Sequence, residues 1–362
     1  MKNTLPLLVL LGAAVVPARA ADYVLTDVAT NLDHPWSIAF LPDGDFLVTE
    51  RPGRLLRLAG DRRVEIAGAP DTYVAGQGGY FDIVLDPDFV DNRLVYLAYA
   101  EGTKRANRTA VMRARLEDDR LVDAEVILRV EPDKNTAHHY GGRLAFLPDG
   151  TLLVTTGEGF TFRDQAQDLD SQFGKTLRVN PDGSVPADNP FADRGGPAAK
   201  VWTYGHRNPQ GLAVDPATGS VWLHEHGPRG GDEVNRIEPG LNYGWPAITY
   251  GVDYSGARIS PYTEYDGMEQ PVTYWDPSIA PSGLTVYRGD AFPAWQGNLF
   301  VGALKDRDVR RLVIEDGSVV TEETLFESPG ERIRDVRTGP DGYLYLLTDS
   351  SEGRIIRVIP ER

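Results

Sequence analysis

The sequence predicts an all-β protein folded as a six-bladed β-propeller. Three observations carry this. One phrase, a short apolar strand, a Pro/Asp/Gly turn and a second apolar strand, recurs along the whole chain. Each copy reads as a hairpin, with β-branched and aromatic runs broken by turn residues. No amphipathic helix of useful length is visible.

The copies follow in order. "SIAFLPDGDFLVTE" starts at Ser37, "DIVLDPDFVDNRLVYLAY" at Asp82 and "RLAFLPDGTLLVTTGEG" at Arg143. "GLAVDPATGSVWLHEHG" starts at Gly211, "GLTVYRGDAFPAWQGNLFVGAL" at Gly283 and "DVRTGPDGYLYLLTDS" at Asp335. Units of this size leave room for two more strands each. Such units cannot bury both faces alone and therefore stack into a ring. A pair of β-sandwiches would not explain one phrase recurring in register. Uneven spacing places insertions in 101–140, 159–200 and 246–280, and long loops at one end of a propeller are where sites are built.

The chain has 362 residues, 41% of them hydrophobic, and a net charge of −16. That charge argues against a general nucleic-acid binder, because phosphate binding needs a positive field. Lys2, the apolar run "LPLLVLLGAAVV" and "ARA" before Ala21 read as a secretory signal over residues 1–20, cleaved near Ala20/Ala21. The run is too short for a stable membrane span, and no second run of spanning length follows. The expectation is a periplasmic or secreted protein with one propeller domain over 21–362. The absence of cysteine excludes disulfides, thiolate catalysis and thiolate-held metal.

Five stretches carry candidate chemistry. "NTAHHYGGRLAF" places His138 and His139 before a repeat strand; histidine is the usual general base near neutral pH. In extended chain the two would point oppositely, so at most one faces the channel. "YGHRNPQGLAV" offers Arg207, whose planar fork suits carboxylate or quinone oxygens, with Asn208 and Gln210 beside it. Lys305, Arg332 and Arg334 lie at matching edges of the last two blades, and the two arginines share a face in extended chain. With Arg207 they suggest a multiply anionic ligand. "AGQGGYFDIVL" places Gln77 among glycines, where backbone can approach closely.

The fifth stretch is "VWLHEHGPRGGDEVNRI". A helical zinc motif needs histidines four apart; His224 and His226 are two apart on a strand. The turn that follows offers carbonyls, Asp232 and Glu233, hard oxygen donors that favour Ca²⁺ over zinc.

These motifs, in this order, resemble the soluble quinoprotein glucose dehydrogenase family, enzymes that use pyrroloquinoline quinone (PQQ), and most closely its aldose sugar dehydrogenase branch. The resemblance covers essentially all of the expected mature chain. It is carried by "GQGGYFDIVLDPDF", "HYGGRLAF", "GHRNPQG", "HEHGPRGGDEVN", "NYGWPAITYG", "PSIAPSGL" and "RIRDVRTGPDG". It implies a PQQ- and Ca²⁺-dependent oxidation of aldoses at C1 to lactones, with electrons passed to an external acceptor. His139 matches the general base. The carbonyls of Gly227 and Pro228 match ligands of the Ca²⁺ that also binds PQQ. Arg207, Asn208 and Gln77 match contacts at the reacting face, and Arg207 is counted with His139 as catalytic. Lys305, Arg332 and Arg334 match the partners of PQQ's carboxylates. Glu233 and Tyr243 match a second Ca²⁺ site. Glu158 stands where relatives carry a carboxylate near the histidine.

There are departures. Relatives with glucose activity carry Asp before the base, where this chain has His138. Their sugar-facing Trp aligns with Asp276, next to Trp275, and a third Ca²⁺ site is only partly kept around Asp253. The expectation is broad aldose use. Two rival readings are a Ca²⁺-dependent lactonase, which needs a carboxylate-dominated central metal site, and a non-catalytic glycan- or protein-binding propeller.

Overall fold

The computed structural model describes residues 22–361; the expected signal segment lies outside them. Six four-stranded antiparallel sheets form the molecule. Their first strands are Pro35–Phe40, Tyr80–Leu85, Leu144–Phe146, Pro209–Val214, Pro281–Val286 and Ile333–Thr338. Each of the six phrases supplies the first and second strands of one blade. The sixth blade takes its outer strand from the start of the chain: Tyr23–Leu32 pairs antiparallel with Gly353–Pro360.

The second strands read as unbroken apolar runs because both their faces are covered. Leu152–Thr156, Leu299–Ala303 and Leu344–Thr348 are buried at every position. The apolar side chains fall into six clusters, each lying between neighbouring blades, with Trp36 of the first blade also reaching the cluster between the second and third. Leu47 and Leu55 of the first blade meet Ile83 and Leu97 of the second, and Leu347 and Ile355 of the sixth meet Ile38 and Val48 of the first. The core is therefore a ring of interfaces, so no blade is apolar enough to stand alone.

The "PDG" turns repeat in geometry as well as sequence. Gly44, Gly150 and Gly342 all adopt positive φ, at 91°, 82° and 79°. Each donates its N–H back to the residue three earlier, Leu41, Leu147 and Gly339. A side chain would strain that conformation.

One expectation is corrected. The segment 101–140 is not chiefly an inserted loop, since it contains Asn107–Glu117 and Arg120–Arg129, the outer half of the second blade. Arginines at alternate positions of "NRTAVMRARLE" face outward and disguise a strand whose other face is buried. The segment 159–200 likewise encloses the strand Lys175–Val179, whereas 246–280 is irregular apart from Thr273–Trp275.

The central channel is plugged by charge. Arg143 is 1% exposed; its guanidinium lies 2.9 Å from Asp335, donates to the Gln210 carbonyl at 2.7 Å and covers the Trp36 ring at 4.0 Å. Arg337 binds Asp82 at 2.6 Å and Asp335 at 2.8 Å. On one side, the N-terminal ends of the inner strands carry Arg334 and meet the loops bearing His139 and Arg207. On the other, the C-terminal ends of these strands line a recess of about 820 Å³. Among the described residues no helix is long and apolar enough to cross a membrane.

Candidate active site

His139 lies in the loop that enters the third blade. Its φ is 49°, so it does not continue an extended chain. The separation of the two histidines therefore arises from the kink: His138 is exposed and His139 is buried. Both rings face Phe160, at 5.7 and 5.2 Å. The kink is held on three sides. The His139 N–H donates to Gln77 Oε1 at 2.7 Å. Lys134 Nζ donates to the carbonyls of His138 and His139. Gly157 passes so close that a Cβ there would lie 2.3 Å from the His139 oxygen.

The His139 ring is tied at Nδ1 to Glu158 Oε1, 3.0 Å away. Burial, then the charges of Arg207 and Lys134, push the imidazole well below its ordinary pKa, so it is a neutral base near pH 7. Burial raises Glu158 to about 7 despite Arg207, Arg163 and Lys134 nearby. Lys134 is itself buried, with its ammonium 3.3 Å from the centre of the Tyr140 ring, and burial lowers its pKa.

Arg207 and Asn208 lead into the fourth blade. The Arg207 backbone N–H donates to Glu225 Oε2 at 2.5 Å. Its Nη1 donates to the carbonyls of His226 at 3.1 Å and Gly227 at 2.7 Å, while Nε has no protein partner. Trp245 lies beneath the guanidinium at 5.3 Å. Asn208 Oδ1 accepts from the Gly141 N–H at 3.3 Å, linking this loop to the one that holds His139.

Arg332 and Arg334 do share a face: both donate to Asp349 Oδ2, at 3.2 and 3.1 Å. Against the upward pull of burial, they hold that carboxylate at about 2. Arg334 also donates to Gln210 Oε1 at 3.1 Å, and its Nε is unpartnered. Lys305 is exposed and donates to the Ser278 carbonyl at 2.6 Å.

In the glycine turn, Asp232 departs from the expectation of a free oxygen donor. One of its carboxylate oxygens accepts from the Gly227 N–H, the other from Ser278 Oγ and the Ala280 N–H. It holds the turn closed, accepting three hydrogen bonds from it and from the next loop. Glu233 pairs in register with Glu225 across the strands; burial and then that neighbouring carboxylate push its pKa well up. The two carboxylates, Gly227 and Tyr243 border a cavity of about 10 Å³, room for one water-sized occupant. The Tyr243 hydroxyl is committed to the Arg236 carbonyl and the Glu238 N–H, which leaves its backbone oxygen as the available donor. His224 is fully buried with Nε2 against the Ser282 carbonyl, a packing role. Trp275 turns into the fold and donates to Glu322 at 2.9 Å, so it does not replace an open tryptophan. Asp253 is bound by Arg163 at 3.0 Å.

A model of the Glucose / Sorbosone dehydrogenase family matches residues 32–357, nearly the whole ring. The chain belongs to this family. It is 45% identical to an aldose sugar dehydrogenase of Escherichia coli strain K12, over 98% of this chain and 97% of the relative. It is 28% identical to quinoprotein glucose dehydrogenase B of Acinetobacter calcoaceticus, over 92% of this chain and 87% of the relative. The crystal structure of the apo-form E. coli aldose sugar dehydrogenase superposes with a TM-score of 0.90 at 45% identity, covering 94% of this chain and all of that one. A PQQ-bound aldose sugar dehydrogenase from Streptomyces coelicolor superposes with a TM-score of 0.78 at 29% identity, covering 95% and 100%. The expected recognition, six-bladed fold and enzyme class all stand on these matches.

In this member of the Glucose / Sorbosone dehydrogenase family, Lys134, Glu225 and Asp349 escaped the sequence reading. A signal existed for one of them: the second strands of the first and fourth blades end at the site in "VTE" and "LHE", so Glu50 and Glu225 recur at one place in the repeat, whereas Asp349 stands one residue beyond the matching Thr348. Nothing in the spacing marks Lys134.

Proposed function

We propose that this protein oxidises aldose sugars at C1 to lactones, using PQQ and Ca²⁺, and passes the electrons to an external acceptor. The observation that carries the reading is the His139–Glu158 pair facing Arg207 at the N-terminal mouth of the propeller. The site's donors fit the cofactor. Arg207 Nε and Arg334 Nε are buried without partners, as is His226 Nε2, and all three lie at this mouth. Arg207, Arg332, Arg334 and Lys305 concentrate positive charge in a protein of net charge −16, as an anionic ligand requires.

Arg207, Asn208 and Gln77 would hold PQQ and sugar at the reacting face, while Lys305, Arg332 and Arg334 would pair with carboxylates. The carbonyls of Gly227 and Pro228 would bind the Ca²⁺ shared with PQQ, and Glu233 with the Tyr243 carbonyl the second ion. When bound, PQQ and Ca²⁺ supply a polarised quinone that accepts hydride.

His139 supplies the base. With Glu158 ionised, Nδ1 carries the ring proton and Nε2 keeps a lone pair. Nε2 takes the proton of the C1 hydroxyl, and Glu158 steadies the imidazolium that forms. Phe160 and Tyr254, stacked at 6.3 Å, form an exposed aromatic edge on this side of the site. Arg207, fixed by Glu225 and Gly227, presents its free Nε edge to the reacting region. A lactonase would need a carboxylate-rich metal centre. Among the described residues no three His, Asp or Glu side chains are grouped to hold one. The apolar leader supports export to the periplasm.

The deciding experiment reconstitutes the protein with PQQ and Ca²⁺ and supplies aldoses with a redox dye. Aldose-dependent dye reduction is expected. His139→Ala should keep PQQ binding and lose about 10²–10⁴-fold in turnover. Dye reduction at the wild-type rate in that variant would remove His139 from its role.

A further inference from the structure

Beside the reacting mouth, the irregular segment 246–280 encloses a second cleft, of about 590 Å³. Its volume lies within the range of about 300–1,000 Å³ typical of small-molecule sites. Its walls include Arg163, Asp164, Gln167, Tyr262, Tyr265 and Met268. Tyr262 and Tyr265 are 52% and 57% exposed, with ring centroids 5.5 Å apart and planes at 59°. Exposed aromatic pairs in a concavity have no use in the core and mark contact surfaces. These two are also held in place. Thr249 donates to the Tyr262 carbonyl at 3.2 Å, Tyr262 to Ser260 Oγ at 3.0 Å, and Met268 to the Tyr265 carbonyl at 3.1 Å.

We infer that this cleft binds the second and following units of an oligosaccharide whose reducing-end sugar reacts at His139. The inference rests on the proposed sugar oxidation and extends it. Pyranose rings present apolar C–H faces to the negative faces of aromatic rings and hydroxyls to polar side chains around them. The cleft offers both. Its one cation, Arg163, is paired with Asp253 at 3.0 Å and Asp164 adds an exposed acid, so the lining suits a neutral polyol and repels anions.

The cleft lies beside the reacting site. Arg163 lines the cleft, and its charge bears on both His139 and Glu158. Tyr254, next to Asp253, stacks on Phe160, and Phe160 packs against His139 at 5.2 Å. The segment that builds the cleft begins at Pro246, one residue after the tryptophan beneath Arg207. A chain of sugar units leaving the reacting mouth on that side would meet Tyr262 and Tyr265.

The test uses the reconstituted holoenzyme with glucose, maltose, maltotriose and cellotriose. Wild type should show a lower KM for at least one trisaccharide than for glucose. Tyr262→Ala/Tyr265→Ala should raise that KM about tenfold, with kcat and the glucose KM unchanged. Equal KM values for glucose and both trisaccharides in wild type, or equal losses on all sugars in the variant, would overturn the subsite. A second measurement needs no turnover: saturation-transfer NMR of the apoprotein with the trisaccharides should show contact that the double variant loses. If no aldose is oxidised, the proposed reaction fails and the inference with it; NMR contact surviving there would mark the cleft as a plain glycan site. Conversion of a dimer to a monomer in the double variant would make the cleft a subunit interface and remove the proposal.

Discussion

His139 owes its chemistry to the residues that hold it. An ionised Glu158 can only accept a hydrogen bond, so it fixes the ring proton on Nδ1 and leaves Nε2 free. A protonated Glu158 can donate to Nδ1 instead, which moves the ring proton to Nε2 and silences the base. Because burial raises Glu158 to about 7, kcat/KM should rise with pH through about 7 and level off above it. Glu158→Gln should flatten that rise; a wild-type profile already flat between about pH 6 and 8 would defeat the argument. Lys134 acts on the backbone of the same residue. Lys134→Met removes the donor to two carbonyls at a left-handed residue, and kcat should fall about 10–100-fold with KM little changed. Lys134→Arg should recover part of the loss. A fall in kcat matched by the loss of folded protein would make the lysine merely structural. The His138–His139 pair was conspicuous before a repeat strand, but spacing did not choose between the two, and His139 was singled out by the family resemblance. Lys134 was not, because a lysine in "PDKNTAHH" reads as surface until the fold buries it.

Among the elements, the turn after His226 does the most with the least. A Cβ on Gly227 would lie 2.2 Å from the Gly230 oxygen and 2.3 Å from the Gly231 oxygen, both backbone atoms with little freedom to yield. The turn is thereby a crowd of carbonyls closed by Asp232. Gly227→Ala should weaken Ca²⁺ binding at least about tenfold, read by calorimetric titration of the apoprotein. An unchanged titration would move the ion elsewhere. The sequence placed Asp232 among the oxygen donors of this turn, but its carboxylate is committed to N–H and hydroxyl donors, which a carboxylate beside glycines does not reveal until they are placed. Strands were legible where both faces are apolar. They were missed at Asn107–Glu117, where outward arginines break the apolar run.

Across the whole molecule, the charged plug joins five of the six blades at their inner strands, the fourth through the Gln210 carbonyl. Ser37 and Asp82 meet Arg143 and the Asp335–Arg337 pair at the axis. Arg143→Met would leave Asp335 and Asp82 with Arg337 alone. It should cost about 3–5 kcal/mol in urea unfolding, since breaking a buried ion pair strands the remaining charge. A loss below about 1 kcal/mol would mean that Arg337 alone satisfies both carboxylates. The number of blades was countable from the repeat, but the plug was not, because its members are far apart in sequence and each looks ordinary where it stands. The closure of the ring sets a condition on the chain's history. Tyr23–Leu32 completes the blade built by Ile333–Pro360, so the earliest strand must wait for the last. A nascent chain can stack five blades and still expose two apolar flanks, with an unpaired edge at Gly353–Pro360 until the ends meet. Loss of even the final ten residues would therefore unseat the first strand as well, and damage at either terminus would be felt at both.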